Sequence, residues 1–142
     1  MIDGHVLVTV ETDRFDHRNV KPHFINPCCF GEDFASWLKN AVSSLKDSSF
    51  KFSDPIQEDY GWGFWAWHGK DSFWVAISYV GDGPQETPAQ WVISVNADSG
   101  LNIVKRLFHK PDRHALQQLR GCVHEAITSN PGMKLVGTPK YG

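Results

Sequence analysis

The stretch Gln57-Glu58-Asp59-Tyr60-Gly61-Trp62-Gly63-Phe64-Trp65-Ala66-Trp67-His68-Gly69-Lys70-Asp71-Ser72-Phe73-Trp74-Val75-Ala76-Ile77-Ser78-Tyr79 decides the fold. It holds four of the six tryptophans, in two segments separated by Gly69-Lys70-Asp71, which reads as a turn. Aromatic and β-branched residues suit a pleated, half-buried surface, so the segments predict a β-hairpin with strands near 57–68 and 72–80. In the second strand Phe73, Val75, Ile77 and Tyr79 alternate with Trp74, Ala76 and Ser78. One face is therefore expected to meet the core, and the other to be shallow and open around Trp74.

Working outward, 89–96 repeats the pattern, with Trp91, Ile93 and Val95 opposed to Val92, Ser94 and Asn96. Residues 5–12 alternate in the same way around Val6, Val8 and Val10. Between these strands, 13–27 is polar, carries two prolines and reads as a long loop. Phe34, Trp37, Leu38, Ala41, Val42 and Leu45 fall at helical spacing, with Glu32 and Asp33 at the helix start, where the macrodipole favours acids. A loop follows over 46–54, and Pro55 closes it. Downstream, Leu101, Val104, Leu107 and Phe108 suggest a short helix. Ala115, Leu116, Leu119, Val123 and Ile127 mark a longer one that ends before Asn130-Pro131-Gly132, and Met133–Val136 suggests a short edge strand. The expectation is one α+β domain over 1–142, in the order β-α-β-β-β-α. Two main helices cover one face of a mostly antiparallel sheet of four to five strands, a two-layer sandwich.

The composition of 41% apolar and 21% charged residues is that of a folded globular chain. No stretch approaches the roughly 20 apolar residues of a membrane span, and residues 1–12 lack the basic start of a signal peptide. Three cysteines, two of them adjacent, do not form a disulfide framework, which points to a cytoplasmic protein. Residues 1–98 hold 14 acids and 7 bases, whereas 99–142 hold 2 acids and 7 bases. The aromatic strands lack interleaved lysines and arginines, so a nucleic-acid surface is not expected.

Chemistry-bearing residues are sparse. Gly61 and Gly63 lie inside a strand pattern without a following helix or Gly-Lys-Ser/Thr, so they read as a bulge rather than a phosphate loop. Such a bulge could turn Trp62 outward, and Glu58, Asp59 and Tyr60 could line the same edge. With Trp74 these five form the expected binding surface. His23, Cys28 and Cys29 precede the first helix, where a cysteine can be activated, and they are weak catalytic candidates with Asn26 as orienter. The seven histidines form no ligand motif, so neither a metal nor another cofactor is expected.

No family signature can be quoted residue by residue. The size and the α+β layout resemble those of many small bacterial binding proteins, including immunity proteins against secreted toxins, an analogy at the level of fold. The expected function is a small non-catalytic interaction module whose aromatic sheet surface meets a protein partner or a second copy. The alternative is a ligand-binding protein or small enzyme with a Cys/His pocket near 23–29.

Overall fold

A computed structural model gives the fold. It describes residues 8–17, 19–25, 30–45, 49–58, 60–80, 89–97 and 113–136. Among these residues seven strands form one antiparallel sheet: β1 (Val8–Thr12), β2 (Lys51–Phe52), β3 (Ile56–Glu58), β4 (Gly61–His68), β5 (Asp71–Val80), β6 (Ala89–Ala97) and β7 (Lys134–Val136). Among the described residues two helices, α1 (Glu32–Ser43) and α2 (Arg113–Thr128), accompany the sheet in an α+β fold. The spatial order is β2-β4-β5-β6-β1-β7, with β3 also pairing along the free side of β4.

The sheet has more strands than the four to five expected. Part of the difference lies in 57–68, which is not one strand. Glu58 pairs with Gly61, so the chain reverses at Tyr60 and β3 folds back on β4. Lys51–Phe52, expected as loop, adds a further short strand against Trp67 and Ala66. Together β2 and β3 make one interrupted edge. Between the pairs Phe52–Ala66 and Ile56–Gly63 the edge has three residues against two on β4, which defines a bulge. Ser53 bridges it. Its N–H donates to the Trp65 carbonyl at 3.0 Å, and its Oγ accepts from the Trp65 N–H at 2.9 Å. Pro55, which has no N–H to offer a ladder, sits within this break.

Strand parity places the core. Val8, Val10, Trp62, Phe64, Ala66, Phe73, Val75, Ile77, Trp91, Ile93 and Val95 are all buried, as are Phe34, Leu38 and Val42 of α1 and Leu119, Val123 and Ile127 of α2. Trp91 lies among these rings, 5.4 Å from Phe34 and 5.3 Å from Tyr79. Its Nε1 donates to the Thr12 carbonyl at 3.3 Å.

The polar segment after β1 contributes more than a loop would. Phe15 stacks on Phe34 at 4.2 Å, and His17 is wholly buried beside Tyr79 and Trp91. The acids at the start of α1 hold this segment down. Asp33 accepts the Asp16 N–H at 2.8 Å, and Glu32 engages His23. Gly31, just before α1, has φ 128°, a left-handed conformation that other residues adopt only under strain. At the far side, Arg120 of α2 donates to the Val95 carbonyl at 2.9 Å and to Asn96 Oδ1 at 3.3 Å, tying the helix to the end of β6. The helix expected over 101–108 lies outside the described residues.

Candidate functional site

The helices cover the face that carries Phe64, Phe73 and Trp91. Residues of the opposite parity form the other face: Lys51 on β2, Ile56 and Glu58 on β3, Gly61, Gly63, Trp65 and Trp67 on β4, and Ser72, Trp74, Ala76 and Ser78 on β5. Directly paired residues share a face, so the register alone assigns these positions. Trp65 and Trp74 are a cross-strand pair with ring centroids 4.8 Å apart and planes tilted by 59°.

Gly63 explains how Trp74 lies. A Cβ built at Gly63 would come within 2.4 Å of Trp74 Cζ2, so the indole occupies the space that a side chain would need. The ring leans along the sheet toward the β3–β4 turn, where its Nε1 donates to the Tyr60 hydroxyl at 2.5 Å. Burial, with the Glu58 carboxylate adding to it, pushes the Tyr60 phenol above its ordinary value of 10.0; the Trp74 N–H pulls the other way. The phenol therefore stays protonated at neutral pH and keeps an O–H to donate. Tyr60, Trp74 and Trp65 thus form a linked track of rings, and Trp67 stands two residues further along the same face. Tyr60 is 46% exposed and Trp67 38% exposed, with Ile56 and Val80 also at the surface. Beyond the track the face is not uniformly open, because Thr9 on β1 is buried.

The expected binding residues divide on this geometry. Glu58, Tyr60 and Trp74 belong to the open face, while Asp59 lies outside the described residues. Trp62 does not belong to it. The β3–β4 register runs through Gly61, Trp62 and Gly63 without a break, and the β4–β5 register pairs Trp62 with Ile77 and Gly63 with Ala76, so no bulge turns Trp62 outward. Trp62 is only 4% exposed and packs against Phe24 and His23. The glycines serve close approach instead, since a Cβ at Gly61 would stand 2.2 Å from the Ile77 carbonyl oxygen. Trp65, Trp67, Ile56 and Lys51 join the surface although they were not among the expected residues. Carrying the alternation of β5 across to β4 would have found the two tryptophans.

The Cys/His candidates are placed differently. His23 sits with Nε2 2.7 Å from both carboxylate oxygens of Glu32, in an exposed pair at the start of α1. Cys28, Cys29 and Asn26 lie outside the described residues. Another histidine has the more unusual setting: His17 is fully buried, with Nε2 2.5 Å from Asp13 Oδ1 and no hydrogen-bond partner at Nδ1. With Nε2 engaged by Asp13, the buried Nδ1 is left without a hydrogen-bond partner where the ring stacks beside Tyr79. No three potential metal ligands cluster among the described residues. Nor is any helix among them long and apolar enough to cross a membrane.

Comparison with protein-family models, curated proteins and solved structures finds no match for this chain. The functional reading therefore rests on the ring-lined face and its surroundings.

Proposed function

We propose that this protein is a non-catalytic interaction module, and that its contact surface is the open face of β3, β4 and β5. The observation that carries the reading is the track of Tyr60, Trp74, Trp65 and Trp67 laid across a sheet and held in place by the Trp74–Tyr60 hydrogen bond. Tryptophan and tyrosine dominate binding hot spots because they bury large areas at low entropic cost. The rings are fixed before a partner arrives, which lowers the ordering cost of association.

The chemistry of the face favours a protein over a nucleic acid. Among the described residues, the charged positions that the register places on this face near the rings are one acid, Glu58, and one base, Lys51, which is not the basic stripe that phosphates require. In this reading the chain acts in the cytoplasm, in line with three cysteines that make no disulfide framework. The test is affinity capture with the full chain immobilised as wild type, as Trp67→Ser and as Lys134→Ala, a control at the far edge of the sheet. Proteins retained by wild type and Lys134→Ala but lost by Trp67→Ser are the expected result. Identical capture by all three forms overturns the assignment of this face.

A further inference from the structure

Resting on the reading that the ring-lined face is the contact surface, we propose that its occupant is a second copy of the chain. The two copies would be joined face to face by a two-fold axis lying in the contact plane and running across the strands.

The face meets the requirement of such an interface, which is self-complementarity: whatever stands at one position must suit what the rotation brings over it. Along the outer edge, Glu58 pairs with Gly61 and Lys51 pairs with Trp67. Both therefore lie on the open face, at opposite ends of β4. Six residues of strand separate the two levels, about 20 Å at ~3.3 Å per residue. An in-plane axis across the strands, level with Phe64, exchanges these ends while keeping the same edge in register. Glu58 of each copy then stands over Lys51 of the other, and the ion pair occurs twice.

The same rotation exchanges the Gly61 level with the Trp67 level, and the Gly63 level with the Trp65 level. Gly61 and Gly63 bring no side chains of their own, yet their end is not a hollow, because Tyr60 and the leaning Trp74 fill it. Trp67 of one copy accordingly meets Tyr60 of the other, and Trp65 meets Trp74. The rings are thus distributed so that neither half of the face is left facing a void. This orientation also keeps the strands of the two sheets nearly aligned, which is one of the two stable ways for sheets to pack. Among the described residues of the patch the acid Glu58 and the base Lys51 balance, and the rotation sets each over the other rather than over its own kind.

The test uses the full-length chain in sedimentation-velocity runs over a broad concentration series. Wild type is expected to show a monomer–dimer equilibrium. Trp67→Ser should weaken it roughly a thousandfold, since a hot-spot loss counts twice in a two-fold interface. Glu58→Lys alone, or Lys51→Glu alone, sets like charges opposite each other at both ends and should weaken it about tenfold. The double variant should recover it. The most specific arm is a mixture of the two single variants, which should form a heterodimer tighter than either homodimer, because both ion pairs are then restored. These are exposed positions, and circular dichroism melts check that each variant is folded.

A wild type that stays monomeric throughout overturns the proposal. So does a dimer that ignores Trp67→Ser and gives no heterodimer on mixing. A monomeric wild type whose captured proteins are still lost with Trp67→Ser sinks the second copy but leaves the contact surface standing. A dimer indifferent to these changes, together with unchanged capture, sinks both.

Discussion

Gly63→Ala adds one methyl group to a strand, a change that would ordinarily stabilise by about 0.5–1 kcal/mol through the unfolded chain. Here the new Cβ would stand 2.4 Å from Trp74 Cζ2, 2.5 Å from the Val75 carbonyl oxygen and 2.8 Å from Trp74 Cε2. Ordinary contacts between carbon atoms are about 3.5–4.0 Å, so the overlap exceeds about an ångström against the ring and is somewhat smaller against the carbonyl oxygen. The indole can swing away, but it then gives up the Tyr60 hydrogen bond, about 0.5–1.5 kcal/mol. The carbonyl cannot move so freely, because β5 is paired on both sides, to β4 and to β6. Overpacking of this kind costs about 1–3 kcal/mol. After the offset, the net expectation is a loss of about 2 kcal/mol, or roughly 8 °C in Tm for a chain of this size. Urea unfolding followed by circular dichroism measures it. In a Trp74→Ala background the clash with the ring vanishes while the clash with the carbonyl stays, so the two changes should couple by about 1 kcal/mol. A Gly63→Ala protein as stable as wild type, or purely additive behaviour in the double variant, would refute the placement of Trp74 over Gly63.

Other expectations follow from the same geometry. Gly121→Ala, in α2 with nothing within 4 Å of the added Cβ, should raise stability by about 0.8 kcal/mol, read from the same urea titration. Trp91→Ala removes a wholly buried ring that touches Phe34 and Tyr79, and should cost about 3–5 kcal/mol, enough to show as a protein largely unfolded at modest urea. Arg120→Met leaves the Val95 carbonyl and Asn96 without their guanidinium donor. Water reaches the site, so the loss should be only about 1 kcal/mol, with hydrogen exchange quickening near the end of β6. The Tyr60 phenol has a raised value in the folded state, so its contribution to stability is complete below pH 10.0 and fades as pH rises through the raised value. Tyrosinate absorbance should show a late-titrating component that Tyr60→Phe abolishes; an unchanged titration counts against the burial of this phenol.

Much of the sheet is legible in the sequence because period-two alternation is a direct record of which side is buried. Phe73, Val75 and Ile77, and likewise Trp91, Ile93 and Val95, are all core residues as their parity implies. The helical stripes at Phe34–Leu38–Val42 and Leu119–Val123 point inward for the same reason. The reversal at Tyr60 is hidden because the expected hairpin signal, a glycine within the two-residue loop, is displaced. Tyr60 stands at the reversal, and Gly61 is already the first residue of β4. That displacement is also why Trp62 reads as an exposed candidate while being a core residue. The burial of His17 has almost no sequence signal. It depends on Phe15 and the acids of α1 drawing a polar segment across the end of the sheet, a tertiary arrangement that local spacing does not encode.

The position of β1 has a consequence for the order of assembly. This early strand lies between β6 and β7, the last two strands among the described residues. The meander of β3, β4, β5 and β6 pairs only sequence neighbours, so it can form while the chain is still emerging from the ribosome. Until β6 is made, Val8 and Val10 have no ladder to join, and until β7 is made the outer edge of β1 has no partner. The sheet is therefore completed by a docking step in which an early strand is clamped between two later ones. A stalled or clipped product lacking 134–136 would carry β1 with a bare outer edge, open to pairing with other chains.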